Sequence, residues 1–167
     1  DLKANYLSIK KELDSAIKNV IDNTAFIKGS ELELFEKSWA EYCGSEFCIG
    51  TSNGTSSLEL ILKALGIGHD DEVICPSHTF IATSEAIINA GAKPVFADCH
   101  DSSALIDATE VEKMITEKTK AVIIVDLYGQ PADYDAVKKV IGARNITIIQ
   151  DAAQSHGAQY KKAVTGS

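Results

Sequence analysis

Two polar side chains, Asp151 and Gln154, follow an apolar run in the segment ITIIQDAAQSHGA, residues 146–158. The run predicts a buried strand, and a buried carboxylate is costly unless it is paired. The next lysine or arginine along the chain is Lys161. A bound cation such as a protonated ring nitrogen could therefore pair with Asp151, in a charge-assisted hydrogen bond worth roughly 1.5–3 kcal/mol. The alternative is that Asp151 caps a turn or a helix.

A second candidate site is the segment SNGTSS, residues 52–57, which leads into an amphipathic helix. Gly54 allows a ligand to approach the backbone closely. Thr55 and Ser56 fall at the predicted helix start, where unpaired N–H groups and the helix dipole favour an anion. The segment therefore predicts a phosphate site, although Thr55 or a neighbour could simply be the N-cap. Neither of the glycine motifs GxxxxGK and GxGxxG is present.

The third candidate is Phe80, in the segment PSHTF that follows another apolar run. An aromatic ring at the head of a helix can stack on a flat ligand ring, and the alternative is a core phenylalanine. His78 and His156 are expected to be hydrogen-bonding neighbours rather than catalytic bases. A phosphate site, a stacking face and an anion for a ring nitrogen are together what pyridoxal 5′-phosphate requires, since its chemistry depends on a protonated pyridine ring.

These residues need a scaffold that brings them to one place, and the order of apolar segments predicts an α/β fold. Helices are expected over residues 5–22 and from Ser30 through an apolar stripe that ends at Tyr42. After Gly44 short apolar runs alternate with amphipathic segments. The predicted strands are Phe47–Thr51, Glu72–Cys75, Pro94–Ala97, Ala121–Val125 and Ile146–Ile149, and the predicted helices lie near residues 55–65, 79–90, 109–117 and 132–142.

The strands are continuously apolar rather than alternating, which is typical of a parallel sheet covered by helices on both faces. Ligands of such sheets bind at the carboxyl ends of the strands. All three candidate segments, together with Asp98 and residues 126–130, are then expected along one edge. The predicted organisation is a helical segment over 1–44 and a cofactor-binding domain over 45–167.

Composition narrows the class of partner. The net charge is −8 and Arg144 is the single arginine among 16 basic residues, which argues against nucleic acid and against anionic membrane surfaces. Any phosphate must then be held by backbone N–H groups and hydroxyls. The apolar runs are too short to span a bilayer. The four cysteines lack CxxC spacing, so we expect buried free thiols in a reducing cytoplasm and no metal site.

Several motifs in order resemble the DegT/StrS family of nucleotide-sugar aminotransferases, which have the fold-type-I architecture. They are FIKGSELELFEKSWAEYCG, GTSNGTSSLELILKALGIGHDDEVICPSHTFIATSEAIINAGAKPVFAD, DLYGQPAD and IIQDAAQSHGA. The resemblance covers essentially the whole chain. It implies that Gly54, Thr55 and Ser56 hold the cofactor phosphate and that Phe80 stacks on its ring. It also implies that Asp151 pairs with the ring nitrogen and that Gln154 reaches the phenolic oxygen.

One departure from the family pattern concerns the lysine that forms the Schiff base with the cofactor. The resemblance places that lysine beyond the equivalent of Ser167, and Lys161 and Lys162 stand in a polar turn instead. We therefore expect a large domain truncated before its catalytic lysine and before the small domain, and expect this chain alone to be inactive.

The resemblance implies an aminotransferase that converts a nucleotide-linked keto-sugar to an amino-sugar, with glutamate as donor, acting as a cytoplasmic homodimer. Two alternatives stay open at this point. Some relatives carry histidine in place of the lysine and are sugar dehydratases. A non-catalytic regulatory or binding protein on the same fold is the second alternative.

Overall fold

The computed structural model describes all 167 residues. They divide into two compact units, one formed by residues 1–42 and 46–50 and the other by residues 43–45 and 51–167. The boundary predicted between residues 44 and 45 stays a prediction. None of the helices has the length and apolarity needed to cross a lipid bilayer.

The first unit consists mainly of two helices, α1 (Leu2–Asp22) and α2, which begins at Ser30 and ends at Cys43. Asp1 caps α1, because its Oδ1 accepts hydrogen bonds from the backbone N–H groups of Lys3 and Ala4 at 2.9 and 3.3 Å. No residue of α1 is buried. Its large apolar side chains are exposed, namely Leu2, Leu7, Ile9, Leu13, Ile17 and Ile21.

The strand predicted at Phe47–Thr51 is wrong. Residues 47–50 form no ladder with any strand, and Phe47 and Ile49 are exposed. A strand needs a neighbour to satisfy its N–H groups. Here the N–H of Gly50 donates instead to the side-chain Oε1 of Glu36 at 2.7 Å.

The second unit is an α/β domain, as predicted. Its four-stranded sheet is parallel throughout, in the order β2-β1-β3-β4. The strands are β1 (Glu72–Pro76), β2 (Lys93–Ala97), β3 (Thr119–Val125) and β4 (Thr147–Asp151), and a small antiparallel pair follows, β5 (Gln159–Tyr160) with β6 (Ala163–Val164). The helices are α3 (Gly54–Ala64), α4 (Ala82–Asn89), α5 (Ala108–Met114) and α6 (Tyr134–Ile141), with a short 3-10 turn at Leu127–Gly129.

The two central strands form the core of this unit. Val73, Ile74 and the run Val122–Ile124 have no exposed surface. Burying one such side chain contributes about 1.5–3 kcal/mol relative to leaving it exposed. This explains the continuous apolar runs, because helices cover both faces of the central strands.

The register aligns the carboxyl ends of β3 and β4. Val125 lies opposite Asp151, and Ile124 lies opposite Gln150. The next residue of the first strand, Asp126, donates its backbone N–H to the carbonyl oxygen of Asp151 at 3.1 Å. The loops that follow β3 and β4 therefore leave the sheet side by side.

Candidate functional site

The start of α3 leaves two backbone donors free. Asn53 has an extended backbone and caps the helix, since its Oδ1 accepts from the N–H of Ser56 at 2.9 Å. The capping residue is thus Asn53 rather than Thr55. The N–H groups of Gly54 and Thr55 make no hydrogen bond within the protein. The space beside Gly54 is open, because a Cβ there would meet no atom within 4 Å.

Hydroxyl groups surround the same helix start. The Oγ1 of Thr51 lies 2.6 Å from the Oγ of Ser57. The hydroxyl of Ser52 donates to that of Ser56 at 3.1 Å. Free N–H groups among hydroxyls, with no basic side chain, are the donors that a phosphate would need here, and the phosphate site itself stays a prediction.

Phe80 lies between β1 and α4, and 70% of its surface is exposed. The alternative of a core phenylalanine is therefore wrong. Its neighbour His78 makes a hydrogen bond, as predicted, with 3.2 Å between its Nε2 and the Oη of Tyr128. An exposed ring at the carboxyl end of the sheet is available for stacking on a ligand.

Asp151 is the last residue of β4 and is partly buried. Its Oδ1 accepts from the N–H of Ala153 at 3.1 Å, so one oxygen does cap the turn that follows the strand. No lysine, arginine or histidine forms an ion pair with it, and its Oδ2 has no partner within the protein. Capping and ligand binding are therefore compatible, since each uses a different oxygen.

Gln154 is held by the loop that follows β3. Its Oε1 accepts from the N–H of Tyr128 at 2.7 Å, which leaves its amide Nε2 as a free donor. Tyr128 has the uncommon φ of 58° and an exposed side chain. Gly129 follows with φ of 87°, and a Cβ there would lie 3.1 Å from the carbonyl oxygen of Gln154. The close approach and the positive φ explain the glycine.

Asp126 was expected along this edge of the sheet, but the sequence predicted no role for its side chain. Its side chain is fully buried. Its Oδ1 accepts from Ala132 N–H at 3.1 Å and Tyr134 Oη at 2.5 Å, and its Oδ2 accepts from Gln150 Nε2 at 2.8 Å and Ser155 Oγ at 3.0 Å. Burial, and then the hydrogen bond to Asp126, raise the pKa of Tyr134 far above its usual range. The signal was present, because Asp126 follows an apolar run just as Asp151 does.

The topology brings the predicted residues to one edge of the sheet. Asp151 ends β4, Gln154 lies three residues beyond it, and Phe80 follows the carboxyl end of β1. α3 runs back to the amino end of β1, so its first turn, with Thr55 and Ser56, belongs to the same edge. We call this edge the rim. Four cavities of about 280 to 650 Å³ are lined by none of the residues predicted to bind the cofactor.

The remaining reactive side chains form no competing site. The four cysteines form no disulfide, and Cys43 and Cys75 are buried whereas Cys48 and Cys99 are only partly so. Burial raises the pKa of the Cys75 thiol to about 12, so it stays protonated and unreactive at neutral pH. No group of three or more cysteine, histidine or carboxylate side chains is arranged to hold a metal ion.

Comparisons with known proteins concern nearly the whole chain. The sequence profile of the DegT/DnrJ/EryC1/StrS aminotransferase family matches residues 7–167. The chain is 44% identical over 161 residues to the dTDP-3-amino-3,4,6-trideoxy-alpha-D-glucose transaminase of Streptomyces venezuelae, covering 96% of this chain and 42% of that protein. It is 42% identical to the UDP-2-acetamido-2-deoxy-3-oxo-D-glucuronate aminotransferase of Pseudomonas aeruginosa, covering 96% and 45%.

A solved structure gives the same result. The crystal structure of S. venezuelae DesV in complex with a ketimine intermediate superposes with a TM-score of 0.96 at 43% identity. The match covers 99% of this chain and 45% of DesV. The chain thus spans less than half the length of these relatives.

Proposed function

Because this chain belongs to the DegT/DnrJ/EryC1/StrS aminotransferase family, we propose that its rim binds pyridoxal 5′-phosphate and serves the amination of a nucleotide-linked keto-sugar. Glutamate is the proposed amino donor. The similar proteins described above are nucleotide-sugar aminotransferases. The observation that carries the proposal is the unpaired carboxylate oxygen of Asp151, which lies on the same edge as a free anion-binding helix start and an exposed aromatic ring.

The helix start fits the cofactor phosphate. The N–H groups of Gly54 and Thr55 are free and point along the helix axis, where the dipole favours negative charge. The hydroxyls of Thr55 and Ser56 complete the proposed phosphate site. Asn53 keeps the third donor, the N–H of Ser56, satisfied within the protein.

The remaining residues fit the cofactor ring. We propose that Phe80 stacks on one face and that Gln154 donates its free Nε2 to the phenolic oxygen. The Oδ2 of Asp151 would accept a hydrogen bond from the ring nitrogen and hold a proton there, because a nearby carboxylate favours the charged form. When bound, the cofactor supplies an electron sink for amino-group transfer.

The lysine that carries the cofactor is proposed to lie in the half of the relatives that this chain does not cover. Lys161 is the lysine nearest to Asp151 along the sequence, and it forms an ion pair with Asp135. The hydrogen bond to Asp135 raises the pKa of Lys161, which favours its charged and non-nucleophilic form. Lys161 is therefore a poor candidate for the tether.

A homodimer is proposed as the working assembly. Support comes from α1, whose large apolar side chains lie exposed along the helix. Apolar surface of this kind is typical of protein–protein interfaces.

The test is amino transfer by the complete protein from glutamate to a nucleotide-linked keto-sugar, with wild type and Asp151→Ala compared. Loss of the anion should lower turnover by two or more orders of magnitude, roughly 3 kcal/mol in barrier. Near-normal turnover in the variant would make Asp151 a turn cap alone. Water elimination from the sugar in place of amination would show a dehydratase, and no turnover at all by the wild type would favour the non-catalytic alternative.

A further inference from the structure

The buried carboxylate of Asp126 has no cationic partner, and its four hydrogen bonds come from two different parts of the fold. Its Oδ1 binds the start of α6, through Ala132 and Tyr134. Its Oδ2 binds the segment around Asp151, through Gln150 and Ser155. We propose that Asp126 is a positioning residue that fixes the direction of the Asp151 carboxylate toward the cofactor ring, an inference that rests on the proposed function.

The contacts of Asp126 lie on both sides of residues 151–154, which we call the ring-binding segment because they include both proposed ring contacts. Gln150 precedes Asp151, and Ser155 follows Gln154. The backbone of Asp126 makes two further hydrogen bonds. Its N–H donates to the carbonyl oxygen of Asp151 at 3.1 Å, and its carbonyl oxygen accepts from the N–H of Gly129 at 3.2 Å. Asp126 therefore holds the segment that carries both proposed ring contacts at three places. It binds Gln150 at one end, Ser155 at the other end, and the backbone of Asp151 at the end of β4.

A carboxylate is needed at this position because all four partners donate. An asparagine would turn one oxygen into an NH2 group. If that NH2 group faced Ala132, two donors would point at each other, and the backbone N–H of Ala132 cannot rotate away. Facing Gln150, it would require the Gln150 amide to turn, although the Oε1 of Gln150 already accepts from Gly166 N–H at 2.9 Å. Buried donors left without an acceptor are costly, so the loop would shift instead.

Ser155 is fixed on its other side as well. Its carbonyl accepts from the Oγ1 of Thr165 at 2.5 Å, and its N–H donates to the carbonyl of Ala152 at 3.0 Å. The side chain is buried. The Asp126–Ser155 bond therefore links the core to a turn that is itself rigid, and a change at this bond moves the turn as a unit.

The experiment compares two variants of the complete protein that each remove one donor from the same carboxylate. Ser155→Ala removes a donor on the Asp151 side, and Tyr134→Phe removes one on the α6 side while keeping the ring. Stability is measured by urea unfolding. Cofactor binding is measured by titration with pyridoxamine 5′-phosphate, which carries an amine and needs no lysine to bind.

We expect both variants to unfold at lower urea concentration than the wild type. The Kd for pyridoxamine 5′-phosphate should rise at least tenfold in Ser155→Ala and stay within twofold of wild type in Tyr134→Phe. If Ser155→Ala does not fold, Gln150→Leu removes the other donor on that side and should give the same tenfold rise.

If the Kd changes equally in the two variants, or does not change in Ser155→Ala, then Asp126 only stabilises the fold. That result would leave the proposed function intact. If the wild type itself binds no pyridoxamine 5′-phosphate, the proposed function and this inference both fall.

Discussion

Gly129→Ala should lower the free energy of unfolding by an amount that follows from the geometry at Gly129. Gly129 has φ of 87°, and an added Cβ would lie 3.1 Å from the carbonyl oxygen of Gln154. A left-handed backbone costs an alanine about 1–2 kcal/mol. The contact adds to this cost, because the oxygen belongs to backbone and must move by a few tenths of an ångström. We expect a total loss of about 2–3 kcal/mol in the free energy of unfolding.

The matched control is Gly66→Ala. Gly66 also has a positive φ, of 73°, at the end of α3, but a Cβ there would meet nothing within 4 Å. This variant carries the backbone cost alone, so we expect a loss of about 1–2 kcal/mol, smaller than that of Gly129→Ala. Urea unfolding of the complete protein gives both values, and titration with pyridoxamine 5′-phosphate gives the effect on the rim.

Gly129→Ala should also weaken cofactor binding, because Gln154 is displaced, whereas Gly66→Ala should leave binding unchanged. The reasoning is refuted if the two variants lose equal stability and bind the cofactor equally well. In that case the contact with Gln154 is relieved without moving the ring-binding segment.

Three further predictions follow from single contacts. Phe80→Ala should leave the urea midpoint unchanged, because the ring is exposed. It should weaken binding of pyridoxamine 5′-phosphate about tenfold, because the stacking contact is lost. Unchanged binding would show that Phe80 is not part of the site. Glu72 has a pKa held below its usual value by hydrogen bonds from Thr116 and Lys93, so its contribution to stability is complete above pH 4.5 and disappears as the pH falls through the lowered pKa. Glu72→Gln should therefore be less stable than wild type at pH 7 and should lose less stability between pH 5 and 3. Urea unfolding at several pH values measures both proteins, and parallel plots of stability against pH would contradict this prediction. Borohydride reduction of the 167-residue chain with pyridoxal 5′-phosphate should label no lysine stoichiometrically by peptide mapping, whereas full labelling of Lys161 would identify it as the tether.

Much of the fold could be predicted because the determining signal is local. Apolar runs predicted β1 to β4, and all four strands lie where the runs predicted them, although the edge strands β2 and β4 are only partly buried. The segment at residues 47–51 has the same apolar character but forms no ladder. Strand formation requires a neighbouring strand, and a single segment carries no information about whether one is available.

The roles of Asp126 and Asp151 show the same limit at the site. Each follows an apolar strand, so the sequence pattern is the same for both. What distinguishes them is the set of donors nearby. Asp126 meets Tyr134, Gln150 and Ser155 and is fully satisfied. Asp151 keeps one oxygen without a partner. Only the tertiary structure decides which carboxylate is free to bind a ligand.

The cap of α3 was uncertain for a related reason. Several consecutive residues from Ser52 to Ser57 can cap a helix. The choice depends on where the backbone turns from extended to helical, which happens at Asn53. Because the cap lies one residue before Gly54, the N–H groups of Gly54 and Thr55 stay free.

The most direct test of the account is the protonation state of the cofactor ring nitrogen. Pyridoxamine 5′-phosphate labelled with ¹⁵N in the ring is bound to the complete protein, and its nitrogen chemical shift is followed with pH. The account predicts a protonated nitrogen across neutral pH in the wild type, and a nitrogen that loses its proton at lower pH in Asp151→Ala, because the carboxylate that favours the charged form is gone. A wild-type nitrogen that is unprotonated at pH 7, or the same titration in both proteins, would contradict the assignment of Asp151 and with it the proposed site.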